Sequence, residues 1–398
     1  MTATAPAAPG RALFAFGAVS FCYFSYAGLF GTYAPLWFHS LGYSTLAIGV
    51  LASVQSATRV LSPYAWGWIA DHTGQRARLL RIAVALSLLS ACGFLVSPAY
   101  GWIVGATAAL FLCTAGVIPI SEAALAHYVT RGAALDAVRY GRVRVWGSLG
   151  FIVAVSGSGF LLQVFGVDKF PVLAIGLLAA LLWATLRLPV LPELPHPEGL
   201  AAGALAVLRR PAVAWFFAGV FFTVLAHTSL YAFFSLYLDS LGYSRISVGL
   251  IWAAGVMVEV LWFWFQGAWL GRLSMPGWLL LAALASVLRF AAIAAFGGVT
   301  WLLLLSQGLH ALTFAAQHTA CIAVINRHFP GRLRGRGQAL YTVLGYGLSG
   351  VLGGVAGGAL SQAYGFAMVF WAASGAALVA ALCCLRAWVL DRRLPLTV

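Results

Sequence analysis

Long apolar runs follow one another along the whole chain, and short segments between them carry most of the polar residues. Runs such as 278–297 and 369–385 show no alternation of apolar and polar positions. A helix needs about 20 mostly apolar residues to cross a bilayer, whereas the strands of a membrane barrel alternate over about 10 residues. The pattern therefore predicts an all-α polytopic membrane protein with twelve transmembrane helices, at 12–38, 45–70, 79–97, 101–128, 142–166, 171–189, 211–238, 245–270, 277–297, 299–326, 337–360 and 366–388.

The composition agrees with this pattern and excludes other classes of protein. Apolar residues make up 62% of the 398 residues and charged residues only 8%, compared with about 25% charged residues in soluble domains. So few charges would not keep a soluble globule of this size dispersed, and so much apolar sequence excludes a disordered chain. The six cysteines lie inside apolar runs without the spacing of metal ligands, so we expect no metal site.

The basic residues predict how the helices are oriented. Of the 23 Lys and Arg residues, 18 fall in the loops and tails on the side of the N-terminus, and two, Lys169 and Arg245, fall on the other side. Positively charged loops stay in the cytoplasm, so we expect both termini there. The net charge of +14 then belongs to loops rather than to a basic face for nucleic acid. The predicted location is a bacterial-type cell inner membrane.

The chain divides into two halves that resemble each other. The segment SLGYS at 40–44 recurs at 240–244, between the first and second helix of each half. Four prolines in the middle of the chain predict a cytoplasmic linker at 190–210. We expect six-helix bundles at 12–189 and 211–388, with tails at 1–11 and 389–398. Parallel repeats of six helices are typical of transporters that bind their substrate near the membrane midplane.

A motif at the end of the second helix narrows this interpretation. The sequence GWIADHTGQRAR at 67–78 places Gly67, Asp71, Gly74 and Arg76 in and after that helix. It resembles the Gly-x-x-x-Asp-x-x-Gly-x-Arg loop signature of the major facilitator superfamily. The resemblance implies the fold of two six-helix bundles and a gating role for these four residues, with Asp71 capping a helix or pairing with an arginine. The alternative is that the arginines only determine topology.

Four further segments, at 140–148, 226–231, 255–260 and 309–314, resemble the lactose permease and phenylpropionate permease branch of this superfamily. In lactose permease a Glu and an Arg that match Glu122 and Arg144 bind the sugar. A stacking Trp of that permease stands where this chain has Phe151, two helical turns after Arg144. The resemblance implies substrate-binding roles for all three residues. The alternatives are that Arg144 is one more positive charge at the cytoplasmic interface and that Phe151 belongs to the bundle core.

Three ionisable residues fall in the helices where lactose permease keeps its proton-coupling network, namely Glu259, Arg289 and His310. Ionisable groups at membrane depth are costly and therefore functional candidates. That permease has a second Glu three residues after the His, where this chain has Thr313. We therefore assign the proton to Glu259, which can release it when Arg289 approaches. The alternative is a static buried ion pair.

Polar and aromatic positions of the tenth helix recur at helical spacing, namely His310, Thr313, Phe314, Gln317 and His318. We expect this face to line the substrate cavity, with His310 and Gln317 as substrate ligands. Arg289 and His227 are further candidates for substrate binding. For His227 the alternative is a hydrogen bond between neighbouring helices.

The charges inside the predicted helices point to a class of substrate. The predicted helices contain three arginines, Arg59, Arg144 and Arg289, but only two glutamates. An unbalanced positive charge in a low-dielectric cavity is best offset by a bound anion. We therefore predict a proton-coupled symporter that imports a small aromatic or other organic carboxylate, such as a phenylpropionate-like acid, by alternating access. The alternatives are a proton-coupled sugar or nucleoside symporter and a drug or metabolite efflux transporter.

Enzymatic and signalling functions find no support in the sequence. It contains no His-Glu-x-x-His, cysteine cluster or Gly-x-Ser-x-Gly motif, and its longest segment between helices is about 20 residues. We therefore expect no enzyme and no cofactor other than the proton gradient as driving force. The expected partners are the organic anion, protons and the lipid bilayer, and the expected state is a monomer.

Overall fold

The computed structural model describes residues 9–131, 134–135, 137–189 and 204–392. Within these residues twelve helices are long and apolar enough to cross a membrane, which confirms the predicted all-helical polytopic fold. Their ends differ from the predicted ones by at most four residues. We number them as spans one to twelve: Ala12–Ser40, Thr45–Ala70, Arg76–Leu95, Tyr100–Leu125, Arg139–Phe165, Val167–Leu186, Pro211–Ser240, Arg245–Ala268, Met275–Phe296, Thr300–His328, Arg334–Tyr364 and Phe366–Asp391.

Half of the twelve spans are single α-helices, and the other half combine several segments. The α-helices are Pro9–Ser40, Thr45–Thr73, Arg76–Cys92, Tyr100–Thr114, Val117–Val129, Ala137–Phe165, Phe170–Leu186, Ala204–Leu208, Pro211–Ser240, Arg245–Phe265, Met275–Phe296, Thr300–Gly308, Gln317–His328, Arg334–Leu340, Ser349–Tyr364 and Phe366–Asp391. Short 3₁₀ turns are Gly93–Leu95, Val167–Lys169, Gln266–Ala268, Leu270–Arg272 and Gly331–Leu333. Between spans four and five, Thr130–Arg131 pairs antiparallel with Ala134–Leu135.

Two spans contain π-helical segments that hydropathy does not predict. Span ten is π-helical over Ala311–Ala316, and span eleven over Tyr341–Leu348. The π-helix is rare, and where it occurs inside α-helices it is frequent at functional sites. Both segments lie in the C-terminal half, and the first begins directly after the predicted site residue His310.

The chain forms two compact units, of which the first contains the described residues of 1–41 and 58–198. Span one packs along span five. There Ser25 Oγ donates to the carbonyl of Gly150 at 3.0 Å, and Tyr33 Oη donates to that of Val155 at 2.7 Å. Gly150 permits the close approach, because a Cβ at this position would overlap the carbonyl oxygen of Phe21.

The second unit contains Gly42–Ala57 and the described residues of 199–398. Span seven packs against spans eleven and twelve, and the rings of Phe234 and Tyr237 lie 6.0 and 5.2 Å from the ring of Phe370. Residues 42–57, which include the first half of span two, lie against span eleven. In this contact Ser53 Oγ donates to the carbonyl of Val351 at 2.7 Å.

The repeated SLGYS segment makes the same turn in both halves. Ser40 Oγ donates to the carbonyl of Trp37, and Ser240 Oγ to that of Tyr237, both at 2.7 Å. The following glycines, Gly42 and Gly242, have φ angles of 84° and 83°. Only glycine adopts this left-handed region without a steric cost, so the repeat is a repeat of structure as well as of sequence.

Parts of the predicted organisation lie outside the described residues. These parts are 1–8 of the N-terminal tail, 190–203 of the linker and 393–398 of the C-terminal tail. The described end of the linker contains the short helix Ala204–Leu208. The cytoplasmic position of both termini stays a prediction.

The contact between spans one and five yields a testable prediction. Gly150→Val should destabilise the protein by about 1–3 kcal/mol or more, because the new side chain has to displace the backbone of span one. Gly157→Val, in the same helix, is the matched control, since a Cβ there meets nothing within 4 Å. Thermal unfolding in detergent should separate the two variants. Equal unfolding temperatures would show that span one does not pack on Gly150.

Candidate functional site

The second unit contains a fully buried arginine, Arg289 of span nine. Its guanidinium donates three hydrogen bonds of 2.9 Å to span ten, from Nη2 to Gln307 Oε1 and from Nη1 to His310 Nδ1 and Thr313 Oγ1. The acceptors follow at every third residue, so they lie along one side of the helix. They satisfy three of the five guanidinium N–H groups but leave the positive charge without direct neutralisation.

His310 connects Arg289 to Glu259 of span eight. An arginine N–H can only donate, so Nδ1 of His310 accepts and the ring proton lies on Nε2. This Nε2 is 3.5 Å from Glu259 Oε2, and the two side chains are only 8% and 17% exposed. The sequence predicts that Arg289 approaches Glu259; in the structure the imidazole of His310 lies between them.

The bond from Arg289 restricts the protonation of His310. A second proton on the imidazole would have to bind Nδ1, whose lone pair already accepts from Arg289. The resulting imidazolium would lose this bond and place two positive charges side by side. As long as Arg289 donates to Nδ1, His310 therefore cannot take up a second proton without losing this hydrogen bond.

His227 of span seven is buried near the same group of side chains. Its ring packs edge-on against Phe290, with 5.2 Å between the ring centroids, and Arg289 acts on it electrostatically. Its Nδ1 is 2.8 Å from the carbonyl oxygen of Thr223, so Nδ1 carries the proton and Nε2 is an acceptor. Among the described residues this Nε2 has no hydrogen-bond partner. His227 therefore presents an open acceptor close to the Arg289 chain.

Gln317 has a different environment from His310. Its amide Nε2 donates to Cys321 Sγ at 3.1 Å, one turn further along the same helix, and the side chain is 5% exposed. It is not among the three acceptors of Arg289 described above. By contrast, the ring of Phe314 stacks on the imidazoles of both His310 and His318 along the span.

In the first unit, Glu122 of span four and Arg144 of span five lie together, as the resemblance implies. Arg144 Nε is 3.4 Å from Glu122 Oε1, and the side chains are 44% and 38% exposed. The guanidinium carbon also lies 4.5 Å from the centre of the Phe24 ring, a cation–π geometry. Both side chains of this pair therefore keep accessible surface, in contrast to Arg289.

Sequence reasoning missed two aromatic residues of span one at this pair. Phe24 supports Arg144, and the adjacent Tyr23 lies within electrostatic reach of Arg59, Glu122 and Arg144. Neither stands out in the sequence, because aromatic residues are common in membrane helices.

In the other half, Gln307 was also missed. A polar residue three positions before His310 on the same helical face was the signal that could have found it.

Phe151 packs against span one, and a Cβ at Gly28 would lie 3.2 Å from its Cδ2. Such a contact is typical of bundle core.

The loop motif after span two forms a turn at Gly74, whose φ is 61°, while Gly67 lies inside the preceding helix and Arg76 begins the next one. The side chain of Asp71 lies outside the described residues, so its gating contact stays a prediction.

Comparison with known proteins decides the family. The sequence pattern of the MFS_1 like family matches residues 13–372. The chain belongs to this family. It is 29% identical over 365 residues to the probable 3-phenylpropionic acid transporter of Escherichia coli (strain K12), covering 90% of this chain and 94% of the relative. It is 28% identical over 362 residues to the maltose permease of Geobacillus stearothermophilus, covering 87% of each.

Solved structures share the fold of this MFS_1-like chain at low sequence identity. The nucleoside transporter NupG superposes with a TM-score of 0.83 at 19% identity, covering 94% of this chain and 98% of that one. The peptide transporter PepTSo superposes with a TM-score of 0.79 at 12% identity, covering 98% and 99%. These structural similarities show only that the fold is shared. Together with the family, they confirm that the protein is a multi-pass membrane transporter of the major facilitator superfamily and not an enzyme.

The three acceptors of Arg289 yield a test of stability. Thr313→Val keeps the shape of the side chain but leaves one N–H of a buried guanidinium without its acceptor. We expect a loss of about 1–3 kcal/mol in the free energy of unfolding, measured by chemical denaturation in detergent. Thr342→Val is the control, because its hydroxyl donates to the Gln338 carbonyl in an exposed hydrogen bond within span eleven. If both variants lose the same stability, the Thr313 bond contributes nothing specific.

Proposed function

We propose that this transporter imports a small organic carboxylate together with a proton, by alternating access of its two halves. The observation that carries the proposal is the buried chain from Arg289 through His310 to Glu259. The proposal places the protein in the bacterial cell inner membrane as a monomer, with both termini in the cytoplasm. It requires no bound cofactor and no nucleic acid, since the proton gradient supplies the driving force.

Glu259 is the proposed proton carrier. When Glu259 is ionised, Nε2–H of His310 can donate to its carboxylate. The negative charge of Glu259 then offsets the positive charge of Arg289. When it is protonated, the offset is lost and the positive charge of Arg289 is left unbalanced in a buried site. The two protonation states thus differ in their electrostatic energy. Such a difference lets a proton bias a conformational equilibrium, because a ligand shifts an equilibrium only by its differential interaction with the two states.

Arg144 is the residue that we propose binds the substrate carboxylate. Its guanidinium is accessible and forms one long contact with Glu122, so a substrate carboxylate can accept two N–H groups in a fork geometry. The ring of Phe24 supports the face of the guanidinium. The similarity to the probable 3-phenylpropionic acid transporter supports an aromatic acid as the substrate.

A sugar or nucleoside is the second candidate substrate. The same Glu122–Arg144 pair can bind vicinal hydroxyl groups, and the similarity to a maltose permease favours this alternative. Drug or metabolite efflux is a third possibility, which differs in the direction of transport. The three candidates share the fold and differ in the solute and in the direction in which an imposed gradient moves it.

Uptake into proteoliposomes tests the proposal directly. With an alkaline interior, we expect 3-phenylpropionate to accumulate, and lactose, maltose and a nucleoside not to. Collapse of the pH gradient with a protonophore should stop the accumulation. Uptake of a neutral sugar in place of the acid would establish the second candidate, and extrusion of the acid against the imposed gradient would establish efflux.

Glu259→Gln should separate proton coupling from substrate binding. The amide cannot release a proton, so we expect accumulation driven by the pH gradient to disappear while counterflow of 3-phenylpropionate stays within about two-fold of wild type. Counterflow exchanges labelled for unlabelled substrate and needs no net proton movement. Undiminished gradient-driven accumulation in Glu259→Gln would remove Glu259 from the proposed mechanism.

Arg144→Ala should weaken binding of the acid in both assays. A charge-assisted contact to the carboxylate is worth about 1.5–3 kcal/mol, so we expect KM for counterflow to rise by about ten-fold or more. Arg142→Ala, two residues earlier on the same helix and exposed, is the matched control. Similar kinetics for the two variants would place the carboxylate elsewhere.

A further inference from the structure

Two arginine–tryptophan pairs lie at one end of the second unit, and the proposed function does not use them. The guanidinium carbon of Arg272, after span eight, lies 4.3 Å from the centre of the Trp269 ring. The guanidinium carbon of Arg392, after span twelve, lies 4.4 Å from the centre of the Trp388 ring. Both contacts have a cation–π geometry. Spans eight and twelve end on the same side of the membrane, because four crossings separate their ends.

The turn between spans eight and nine brings the two pairs together. A Cβ at Gly277, in the first turn of span nine, would lie 3.3 Å from Ser274 Oγ and 3.7 Å from Leu273 Cβ. It would also lie 3.7 Å from Cη2 of Trp388. The ring of Trp388 therefore packs against the turn that directly follows Arg272. The two pairs flank this turn from opposite ends of the chain segment.

Both guanidinium groups keep their hydrogen-bonding capacity. Arg272 and Arg392 are exposed, and within the described residues neither side chain forms a hydrogen bond or an ion pair. A ring on one side of a guanidinium leaves N–H groups available, and their fork geometry matches the oxygens of a carboxylate or a phosphate. The two arginines are thus oriented by their tryptophans but not yet engaged by an acceptor.

Positive charge prevails at this end of the second unit. The one acidic side chain among the described residues here belongs to Asp391, and Arg327 Nη1 already binds its Oδ2 at 2.7 Å. The arginines at the same end include Arg209, Arg210, Arg272, Arg334, Arg336 and Arg392. Basic residues at a membrane surface attract anionic headgroups. A ligand of this surface is therefore expected to be an anion.

An apolar stripe leads away from Trp388 along span twelve. Leu385, Leu382 and Leu378 precede Trp388 at spacings of three, three and four residues, so they follow one side of the helix. All three leucines are exposed on the protein surface. In a bilayer such a stripe lies against hydrocarbon. A single ligand that combines a phosphate for the arginines with hydrocarbon for the leucines is a phospholipid.

We propose that an anionic phospholipid binds at the turn between spans eight and nine, with its phosphate on Arg272 and Arg392. One acyl chain lies along the leucine stripe of span twelve. Trp269 and Trp388 are positioning residues that hold the guanidinium groups toward the phosphate, at the headgroup level that tryptophan prefers. The site is independent of the transported solute, so its failure would leave the proposed function untouched.

Native mass spectrometry of the full-length protein in detergent tests this site. The anionic probe is dioleoylphosphatidylglycerol, and the zwitterionic one is dioleoylphosphatidylcholine. We expect the anionic lipid to bind wild type about ten-fold more tightly. Arg272→Gln and Arg392→Gln should each weaken its binding by about ten-fold, because each variant removes a charge-assisted contact. Glycerol 3-phosphate, which has the phosphate without acyl chains, should not displace the lipid at equal concentration.

Arg336→Gln is the matched control for charge, since Arg336 is exposed at the same end of the unit and no aromatic ring of the described residues covers it. It should leave the affinity within about two-fold of wild type. Trp388→Leu should weaken binding by about three-fold or more. Trp264→Leu, which removes an exposed tryptophan of span eight that contacts no arginine among the described residues, should not.

Three results would overturn the site. Equal losses in Arg336→Gln, Arg272→Gln and Arg392→Gln would show a general attraction of the basic surface. Equal binding of the two lipids to wild type, or wild-type affinity in both Arg272→Gln and Arg392→Gln, would show that the phosphate is not bound here. Displacement of the lipid by glycerol 3-phosphate at equal concentration would identify a site for soluble phosphates instead.

Discussion

The charge of Arg289, held away from water inside a membrane protein, is the constraint on which the C-terminal half depends. A buried guanidinium is tolerated only when its N–H groups find acceptors. Gln307, His310 and Thr313 supply them from one side of span ten, and this fixes how spans nine and ten face each other. All three acceptors are uncharged. Compensation of the charge itself therefore depends on Glu259, one imidazole away.

The parts of the structure that follow from the bilayer could be predicted from the sequence. The thickness of the hydrocarbon core sets the length of each apolar run, so the twelve spans were found to within a few residues. Glu122 and Arg144 were also singled out, through the resemblance to lactose permease, and the structure brings the two side chains together. Phe24 could not be found in this way, since its cation–π contact depends on packing between spans one and five.

The details of the C-terminal half could not be predicted, because they depend on helices that are not regular. A strict α-helical period places Gln317 on the face of His310, but its amide bonds to Cys321, beyond the π-helical segment Ala311–Ala316. The same period separates Tyr341 from Tyr346, which the second π-helical segment brings together. Hydropathy contains no signal for a π-turn, since the change concerns backbone bonds rather than side-chain polarity.

The two halves share the SLGYS turn and the same number of spans, but their ionisable side chains differ in exposure. The side chains of Glu122 and Arg144 are about half exposed. Arg289 is fully buried and engaged at both terminal nitrogens, and a solute would have to break three hydrogen bonds to reach it. A proton needs no such space, because it can bind Glu259 without displacing a side chain. Exposure alone therefore favours the N-terminal pair for the substrate and the C-terminal chain for the proton in the proposed cycle.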